Sequence, residues 1–217
     1  MGETRAALVL GDDGLKRCSW GTSSADYRAY HDEEWGRAVH GESRLFERVT
    51  LEAFQSGLAW ITILRKRENF RAAFSAFDPE KVAAFGEDDV TRLMGDAGIV
   101  RNRAKITAAI RNARAVLEVR ETVEGGLDAL IWSFAPARPA RAPRVPGDVM
   151  ATTPESTALA KALKKHGFAF VGPTTAYAAM QACGLVNDHF AGCHARARSG
   201  GDGVVKKSAP VAVGRRG

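Results

Sequence analysis

The stretch 102–119 reads Asn-Arg-Ala-Lys-Ile-Thr-Ala-Ala-Ile-Arg-Asn-Ala-Arg-Ala-Val-Leu-Glu-Val, and it carries the clearest fold signal in the chain. Its apolar residues recur at spacings of four, three and four, which predicts one buried helix face. That face consists of Ile106, Ile110, Ala113 and Leu117. The same spacing places Leu45, Val49, Ala53 and Ser56 on one face of a second predicted helix over about 43–56.

Capping and stop residues predict further helices along the chain. Asp78 precedes Pro79, which is the usual order of a capping residue and the first helical position. The run Thr152-Thr153-Pro154-Glu155 offers a capping box at the start of another helix, and Gly167 is the expected stop for that helix. Strand signals are short and poor. The sequence therefore predicts an all-α fold.

Charge is distributed unevenly over the 217 residues, whose formal net charge is +6. Residues 196–217 carry a net +5, residues 1–17 carry zero, and the body in between is nearly neutral. Both ends are Gly-rich and lack a spaced apolar stripe. We therefore expect a disordered extension over 1–16, a helical domain over 17–195 and a basic disordered tail over 196–217.

Cysteine usage and hydropathy indicate the cellular setting. Three cysteines are too few for a disulfide-stapled secreted domain, which favours a reducing compartment. No segment approaches the roughly 18 consecutive apolar residues of a membrane span. We expect a cytoplasmic protein with no membrane partner, acting as a monomer.

A proline-rich segment, 135–148, contains four prolines and three arginines. The prolines exclude a continuous helix and predict an exposed loop. Such a loop is usually only solvated, and contact with a nucleic acid is the alternative.

Four side chains near the two ends of the body form a candidate metal site. His189 and Cys193 are four residues apart, and Cys18 and His31 lie near the other end of the domain. A set of two thiols and two imidazoles suits zinc in a closed tetrahedral site, which would be structural. The alternative is that these are ordinary thiols and surface histidines.

Two further residues of ligand type lie in the same part of the chain. His194 is a competing ligand next to Cys193, whereas Cys183 lies in an apolar run and is expected to be a core thiol. His31-Asp32-Glu33 matches half of the zinc nucleobase deaminase signature, but the Pro-Cys-x-x-Cys half is absent. The deaminase interpretation is therefore set aside.

Glu52 falls on the apolar stripe of the helix over 43–56, where a carboxylate is costly unless it has a partner or a ligand. A buried salt bridge is the plain alternative. Amphipathic rings lie close to it in sequence, and together they could build a flat-walled slot for a planar base. These rings are Tyr27, Tyr30, Trp35 and Trp60.

Longer motifs make the chain recognisable. They are Cys18-Ser19-Trp20, the segments 27–36, 51–60 and 66–70, Trp132-Ser133-Phe134, and the segment 167–175 continuing through Met180-Gln181-Ala182 to Asn187-Asp188-His189. In this order and spacing they resemble the 3-methyladenine DNA glycosylase I family. The resemblance runs from Cys18 to Cys193 and covers neither end of the chain.

The resemblance implies a helical fold related to the helix-hairpin-helix DNA glycosylases, with a zinc clip joining the N- and C-terminal parts. It implies that the activity is hydrolysis of the N-glycosidic bond of 3-methyladenine in alkylated double-stranded DNA, leaving an abasic site and free 3-methyladenine. The zinc ligands would be the same four residues that spacing selects: Cys18, His31, His189 and Cys193.

Roles for the pocket residues follow from the same resemblance. Glu52 and Tyr30 would hydrogen-bond the extruded base, Trp60 would stack on it, and Tyr27 and Trp35 would line the pocket. Glu52 is therefore the expected catalytic residue.

The resemblance also places the hairpin of the helix-hairpin-helix element near 96–101. There Gly98 and Arg101 would contact the DNA backbone. Gly98 could equally be a plain helix stop.

The chain also departs from the family pattern. Ala53-Phe54 and Ala59 stand where smaller residues and a serine are expected. Phe54 could narrow the pocket or face the core. A zinc-stapled module that binds modified bases without catalysis, and a generic basic nucleic-acid-binding protein, are the alternative functions.

Overall fold

The computed structural model describes residues 6–199, and the regular secondary structure of this part of the chain is mostly helical, as the sequence predicts. The helices are α1 (Ala25–Glu33), α2 (Glu42–Gln55), α3 (Trp60–Ala73), α4 (Pro79–Ala83), α5 (Glu87–Gly95), α6 (Arg103–Thr122), α7 (Gly126–Trp132), α8 (Pro154–Lys165) and α9 (Pro173–Ala182). One two-stranded sheet, β1 (Leu8–Leu10) and β2 (Lys16–Cys18), precedes them. In the described part of the chain no helix is long and apolar enough to cross a membrane.

Helix α6 is the longest element, and it packs against α2, α4, α5 and α7. Asn102 caps its start, because its side-chain oxygen accepts a hydrogen bond from the Lys105 backbone N–H at 3.1 Å. Ile106, Ile110 and Ala113 are buried as predicted, whereas Leu117 is only partly buried. Because Val116 shares the buried surface, the apolar face is wider than the predicted stripe.

Helix α2 brings the candidate carboxylate into the core. Its bounds differ from the predicted 43–56 by one residue at each end, and Leu45 and Val49 are buried. The Lys105 ammonium caps the C-terminal end of this helix by donating to the Phe54 carbonyl at 2.9 Å and to the Ser56 carbonyl at 2.6 Å. A cation at helix carbonyls is favourable, and this contact fixes the turn that holds Glu52.

The predicted Asp78 cap is present, whereas the capping box of α8 lies one residue later than predicted. The Asp78 carboxylate accepts hydrogen bonds from two backbone N–H groups of α4. Thr153 caps α8 and pairs reciprocally with Ser156 rather than with Glu155. Gly167 follows α8 with a φ of +89°, which only glycine adopts without strain, and therefore acts as the predicted stop.

The N-terminal hairpin contradicts the expected disorder of 1–16 over its described part. Leu8 pairs with Cys18 and Leu10 with Lys16 in an antiparallel register. Asp13-Gly14 forms the turn, with Gly14 at a φ of +76°. The strands have three residues each, so they give almost no periodic signal, although Asp-Gly between apolar residues is a hairpin turn pair.

At the other end of the chain, residues 196–199 are also structured, so the predicted tail begins too early. Arg196 lies in a 3-10 turn (His194–Arg198) and donates to the His189 carbonyl at 2.6 Å. Residues 1–5 and 200–217 of the two expected disordered ends lie outside the described part of the chain. Over 135–148 the structure has a loop with a single short 3-10 turn, Pro146–Asp148, as the prolines predict.

Candidate active site and metal centre

Four buried side chains from the two ends of the domain meet in one cluster. Cys18 ends β2 and His31 lies on α1, while His189 and Cys193 lie in the loop that follows α9. One potential ligand atom from each residue lies within 4.8 Å of the others. The structure therefore brings together all four residues that the sequence predicts as a metal site.

The separations between the ligand atoms match a tetrahedral zinc site. Zinc bonds of ordinary length imply about 3.3 Å between two ligand nitrogens and about 3.6 Å between a nitrogen and a sulfur. His31 Nε2 lies 3.2 Å from His189 Nδ1. The sulfur of Cys193 lies 3.4 Å from His31 Nε2 and 3.6 Å from His189 Nδ1, and the sulfur of Cys18 lies 3.7 Å from His189 Nδ1.

Hydrogen bonds behind the cluster select which ring nitrogen faces its centre. His31 Nδ1 lies 2.8 Å from the Asp32 carboxylate, and His189 Nε2 lies 3.1 Å from the Trp35 carbonyl. Each of these nitrogens can donate its proton outward, which leaves the other nitrogen free to bind a metal. The donor set thus fits zinc in both identity and orientation.

Asp32 connects this cluster to the N-terminal hairpin. Besides His31, its carboxylate contacts Arg17 Nε at 2.9 Å and His194 Nε2 at 2.9 Å. His194 therefore faces Asp32 and lies outside the Cys/His cluster. Cys183 is also outside it: the side chain is buried in the core, as predicted, and burial raises the pKa of its thiol to about 12.

The environment of the cluster favours a thiolate. A hydrogen bond with Cys18 lowers the pKa of the Cys193 thiol far below its usual range, and hydrogen bonds with His189 and His31 act in the same direction. The hydrogen bond with Cys193, together with burial, raises the pKa of the Cys18 thiol, although the Phe190 backbone N–H donates to its sulfur at 3.3 Å, so the thiolate is favoured at Cys193. Thiolates are the form in which cysteines bind metals.

A cleft of about 860 Å³ opens beside the cluster. The five residues that the sequence predicts for a base pocket all line it: Tyr27, Tyr30, Trp35, Glu52 and Trp60. They come from α1, the segment after α1, α2 and the first residue of α3. The structure thus places the predicted carboxylate and the predicted rings in one concave site.

Glu52 has no ion-pair partner. Only 6% of its surface is exposed, and within the described residues no donor forms a hydrogen bond with its carboxylate. Burial raises the pKa of Glu52 to about 8, although the charge of Arg48 acts in the opposite direction. The buried-salt-bridge alternative is therefore wrong for this residue.

The rings around Glu52 are held at defined positions. Tyr30 lies against Trp60, with ring centroids 5.5 Å apart and planes inclined by 43°. Burial, and secondarily the charge of Glu52, raises the pKa of Tyr30 well above its usual value, so this phenol stays a donor. The Tyr27 hydroxyl accepts a hydrogen bond from the Ile61 backbone N–H at 3.1 Å, which fixes Tyr27 against the start of α3.

Besides Glu52, Trp60 has a buried polar group that lacks a hydrogen-bond partner in the described residues. Its indole nitrogen is buried and has no hydrogen-bond partner among residues 6–199. Buried donors without partners are rare in native proteins, and they are expected where a ligand supplies the missing acceptor. Glu52 and Trp60 therefore give the cleft an unmet hydrogen-bonding capacity.

Trp20 is one of the cleft residues that sequence reasoning missed. Its ring makes edge contacts with Trp35 at 4.9 Å, with Tyr27 at 5.9 Å and with His31 at 5.1 Å between centroids. It therefore belongs to both the cleft wall and the cluster wall. Its position two residues after a candidate metal ligand was the available signal. Gln55 and Gln181 also line the cleft, and although both lie in the quoted motifs, nothing in the sequence assigned them to the pocket.

Comparisons with known proteins agree with this geometry. The profile described as Methyladenine glycosylase matches residues 20–197. The chain is 51% identical over 180 residues to "DNA-3-methyladenine glycosylase 1" of Escherichia coli, covering 82% of this chain and 96% of the relative. It is 45% identical over 179 residues to "DNA-3-methyladenine glycosylase" of Haemophilus influenzae, with the same shares.

Solved structures give the same result. A Staphylococcus aureus 3-methyladenine DNA glycosylase I structure, described as the structural basis of 3-methyladenine recognition, is 34% identical with a TM-score of 0.78. The match covers 83% of this chain and 96% of that chain. The chain belongs to the methyladenine glycosylase family. The family resemblance read from the motifs is thereby confirmed.

Two departures from the family pattern can now be located. Phe54 is buried and packs on Phe70 and Phe74, with ring centroids 4.8 and 5.9 Å away, so it faces the core rather than narrowing the cleft. Ala59 is exposed and precedes α3, where it provides no side-chain cap. Neither residue lines the cleft.

The predicted DNA-backbone residues lie in the segment that joins α5 to α6. The Gly98 backbone N–H donates to the Asp96 carboxylate at 2.7 Å, and the Lys66 ammonium donates to the Ala97 carbonyl at 2.7 Å. Arg101 is exposed. Because the Gly98 N–H already has an acceptor, Arg101 is the better candidate for a phosphate contact, and the backbone role of both residues stays a prediction.

Proposed function

We propose that this chain is a monofunctional DNA-3-methyladenine glycosylase of base excision repair. The observation that carries the proposal is the buried Glu52 carboxylate, which has no partner in the described residues and lines an aromatic cleft. The named relatives support the same activity. Alkylated double-stranded DNA is the substrate, and free 3-methyladenine is the product.

A base inside a duplex cannot reach Glu52, so the nucleotide must be extruded into the cleft. Extrusion costs a few kcal/mol and is easier for a damaged base, which provides part of the selectivity. Trp60 offers a flat face for the extruded base, and a cation over an aromatic ring contributes about 0.5–2 kcal/mol. A positively charged methylated purine is therefore favoured over a neutral one.

Glu52 adds an electrostatic component to this recognition. In the free protein the raised pKa keeps the group largely protonated near neutral pH. A cationic base in the cleft favours the carboxylate, because an opposite charge nearby lowers the pKa of an acid. Glu52 then loses its proton and pairs with the base, while Tyr30 is placed to donate a hydrogen bond.

The chemical step is hydrolysis. The bond between the sugar and the base breaks, its electron pair goes to the departing base, and the positive charge of the base is neutralised. Water forms the new bond to the sugar carbon and releases a proton, leaving an abasic site. Since a cationic base departs readily, positioning and electrostatics are the protein's main contributions. No lysine lines the cleft in residues 6–199, so a Schiff base and strand cleavage are not expected.

We also propose that Cys18, His31, His189 and Cys193 hold one zinc ion. Zinc would supply structural cross-linking there, since four protein ligands leave no position for a reacting water. The chain's own residues orient the site: Asp32 and the Trp35 carbonyl hold the two imidazoles. The site joins the N- and C-terminal parts of the domain behind the cleft wall.

Incubation of the protein with alkylated double-stranded DNA, followed by chromatography of the released bases, tests the activity. Free 3-methyladenine should appear, together with alkali-sensitive abasic sites and no strand breaks before alkali treatment. Binding of the alkylated DNA without base release would instead support a non-catalytic binding module. Whether 3-methylguanine is also released is read from the same chromatogram.

A further inference from the structure

The N-terminal hairpin spans residues 6–18, and of these only Cys18 belongs to the family motifs, yet the hairpin reaches the candidate base cleft. Ala6 and Val9 line the cleft together with the predicted pocket residues. The part of the cleft wall that Ala6 and Val9 form therefore lies outside the residues that match the family.

The hairpin is held firmly in place. Arg17, only 3% exposed, lies between the Asp13 carboxylate at 2.6 Å and the Asp32 carboxylate at 2.8 Å. Leu8 packs against the small apolar cluster that contains Cys18 and Cys193. Since Asp32 also holds His31, the hairpin position is tied to the metal-site residues. A rigid wall of this kind can select ligands, because it does not move away from them.

Val9 adds a partly exposed apolar side chain to the cleft wall. It is 39% exposed, whereas Glu52, which lines the same cleft, is only 6% exposed. Pro146 and Phe190 line the cleft with it. Leu10, two-thirds exposed on the same strand, does not line the cleft. The two neighbours on β1 thus differ in whether they can meet a ligand.

The size of the cleft indicates what Val9 meets. Sites of about 300–1,000 Å³ enclose ligands of drug size, and a purine base is at the small end of that class. A cleft of about 860 Å³ therefore has room beyond the base. In an extruded nucleotide the part that follows the base toward the opening is the deoxyribose, whose ring carbons suit an apolar wall.

We propose that the N-terminal hairpin is an added wall of the substrate cleft, in which Val9 packs against the deoxyribose of the extruded nucleotide. This inference rests on the proposed glycosylase function. It makes Val9 a binding residue that acts on DNA substrates and leaves recognition of the free base to Glu52 and Trp60.

The test compares Val9→Ser with Leu10→Ser, which makes the same change next to it but outside the cleft. For Val9→Ser, KM for alkylated DNA should rise about threefold to tenfold with kcat within twofold, because a contact made equally before and during reaction affects only binding. The dissociation constant for free 3-methyladenine, measured by calorimetry, should stay at the wild-type value. Leu10→Ser should match wild type in all three quantities.

Several outcomes would overturn the proposal. An unchanged KM in Val9→Ser, an equal rise in Leu10→Ser, or a weaker affinity for free 3-methyladenine would each contradict a sugar contact by Val9. Val9→Ala, which stays apolar but removes both γ-methyl groups, covers the case in which Val9→Ser unfolds. It should raise KM by about twofold to threefold, and an unchanged KM would contradict packing by the Val9 side chain. A wild-type protein that releases no base contradicts the proposed function instead, and this result is distinguishable because it needs no variant.

Discussion

The Cys/His cluster and the aromatic cleft share a wall, but they differ in whether their buried polar atoms have hydrogen-bond partners. In the cluster, His31 and His189 each have an outward partner, and the sulfur of Cys18 accepts a backbone hydrogen bond. In the cleft, the Glu52 carboxylate and the Trp60 indole nitrogen have no partner in the described residues. A satisfied network stabilises a fold, whereas unsatisfied buried groups cost stability and are kept where a ligand completes them.

The two regions are nevertheless mechanically connected. Trp20 contacts His31 on one side and Tyr27 on the other, and the Trp35 ring lies 4.7 Å from the His189 ring. Loss of order in the cluster should therefore reach the cleft through these two tryptophans. Substitution of Glu52 or Trp60 should leave the cluster intact. Disruption of the cluster should therefore affect the cleft, but not the reverse, and this difference can be tested.

Removal of a cluster thiol should have the largest effect. Cys193→Ser should lower zinc affinity by at least about 100-fold and the thermal midpoint by about 10 °C, since structural zinc binding contributes directly to folding. Zinc content by atomic absorption and thermal unfolding measure both. Cys183→Ala is the control, because it removes a buried thiol outside the cluster and should keep one zinc per chain. An unchanged zinc affinity in Cys193→Ser would show that the ligand set is different.

Replacement of Asp32, the carboxylate that orients the ligand His31, should lower zinc affinity less than removal of a cluster thiol. Asp32→Asn keeps the shape but weakens the hold on His31, so zinc affinity should fall about 10- to 100-fold. Competition with a chelator at constant pH measures this change. Asp26→Asn, which removes an exposed ion-pair carboxylate on the same helix, should leave the affinity unchanged. Equal affinities for the two variants would mean that Asp32 does not orient the ligand.

Truncation after Ser199 should have the smallest effect. It removes four basic residues and one acidic residue, a net +3. Binding to unmodified DNA should weaken, and the slope of log affinity against log salt should become less steep by about 3. The identity of the released base should not change. A different base preference in the truncated protein would show that the basic tail takes part in recognition.

The helices could be predicted from the sequence more fully than the site. Helices α2 and α6 follow from local periodicity, and the starts of α4 and α8 follow from capping residues, because both kinds of signal lie within a few neighbouring residues. The hairpin was missed because three-residue strands depend on pairing between separate segments. The four metal ligands could be proposed from residue type and spacing. The ring nitrogens that face the centre could not, because Asp32 and the Trp35 carbonyl decide them only in the folded chain.

Glu52 shows the same limit for the cleft. Its place on an apolar stripe predicted burial, but a salt bridge and a ligand site were equally compatible with the stripe. The structure separates them, because Glu34 is paired with Arg48 and Arg67 while Glu52 is not paired with any described residue. Trp20 escaped prediction because its role depends on contacts with rings from other turns of the chain.

Because the pKa of Glu52 is raised, the free energy of unfolding depends on pH, and the destabilisation caused by burying this carboxylate can be measured. The folded-state pKa of about 8 lies above the ordinary value of 4.5, so between these values the native state binds more protons than the unfolded state. The stability contributed by the wild-type group is therefore lost as the pH rises from about 4.5 to about 8. Glu52→Gln has no such loss.

The central claim is that the buried carboxylate needed for ligand recognition lowers the stability of the fold. A comparison of Glu52→Gln with wild type tests this claim most directly. The variant should unfold with a free energy about 2–4 kcal/mol higher than wild type at pH 9 and nearly equal at pH 4.5. In the same preparation, excision of 3-methyladenine should fall about 100-fold, with Glu118→Gln, an exposed site, as control. Wild-type excision by Glu52→Gln, or a stability gain that does not depend on pH, would contradict the account.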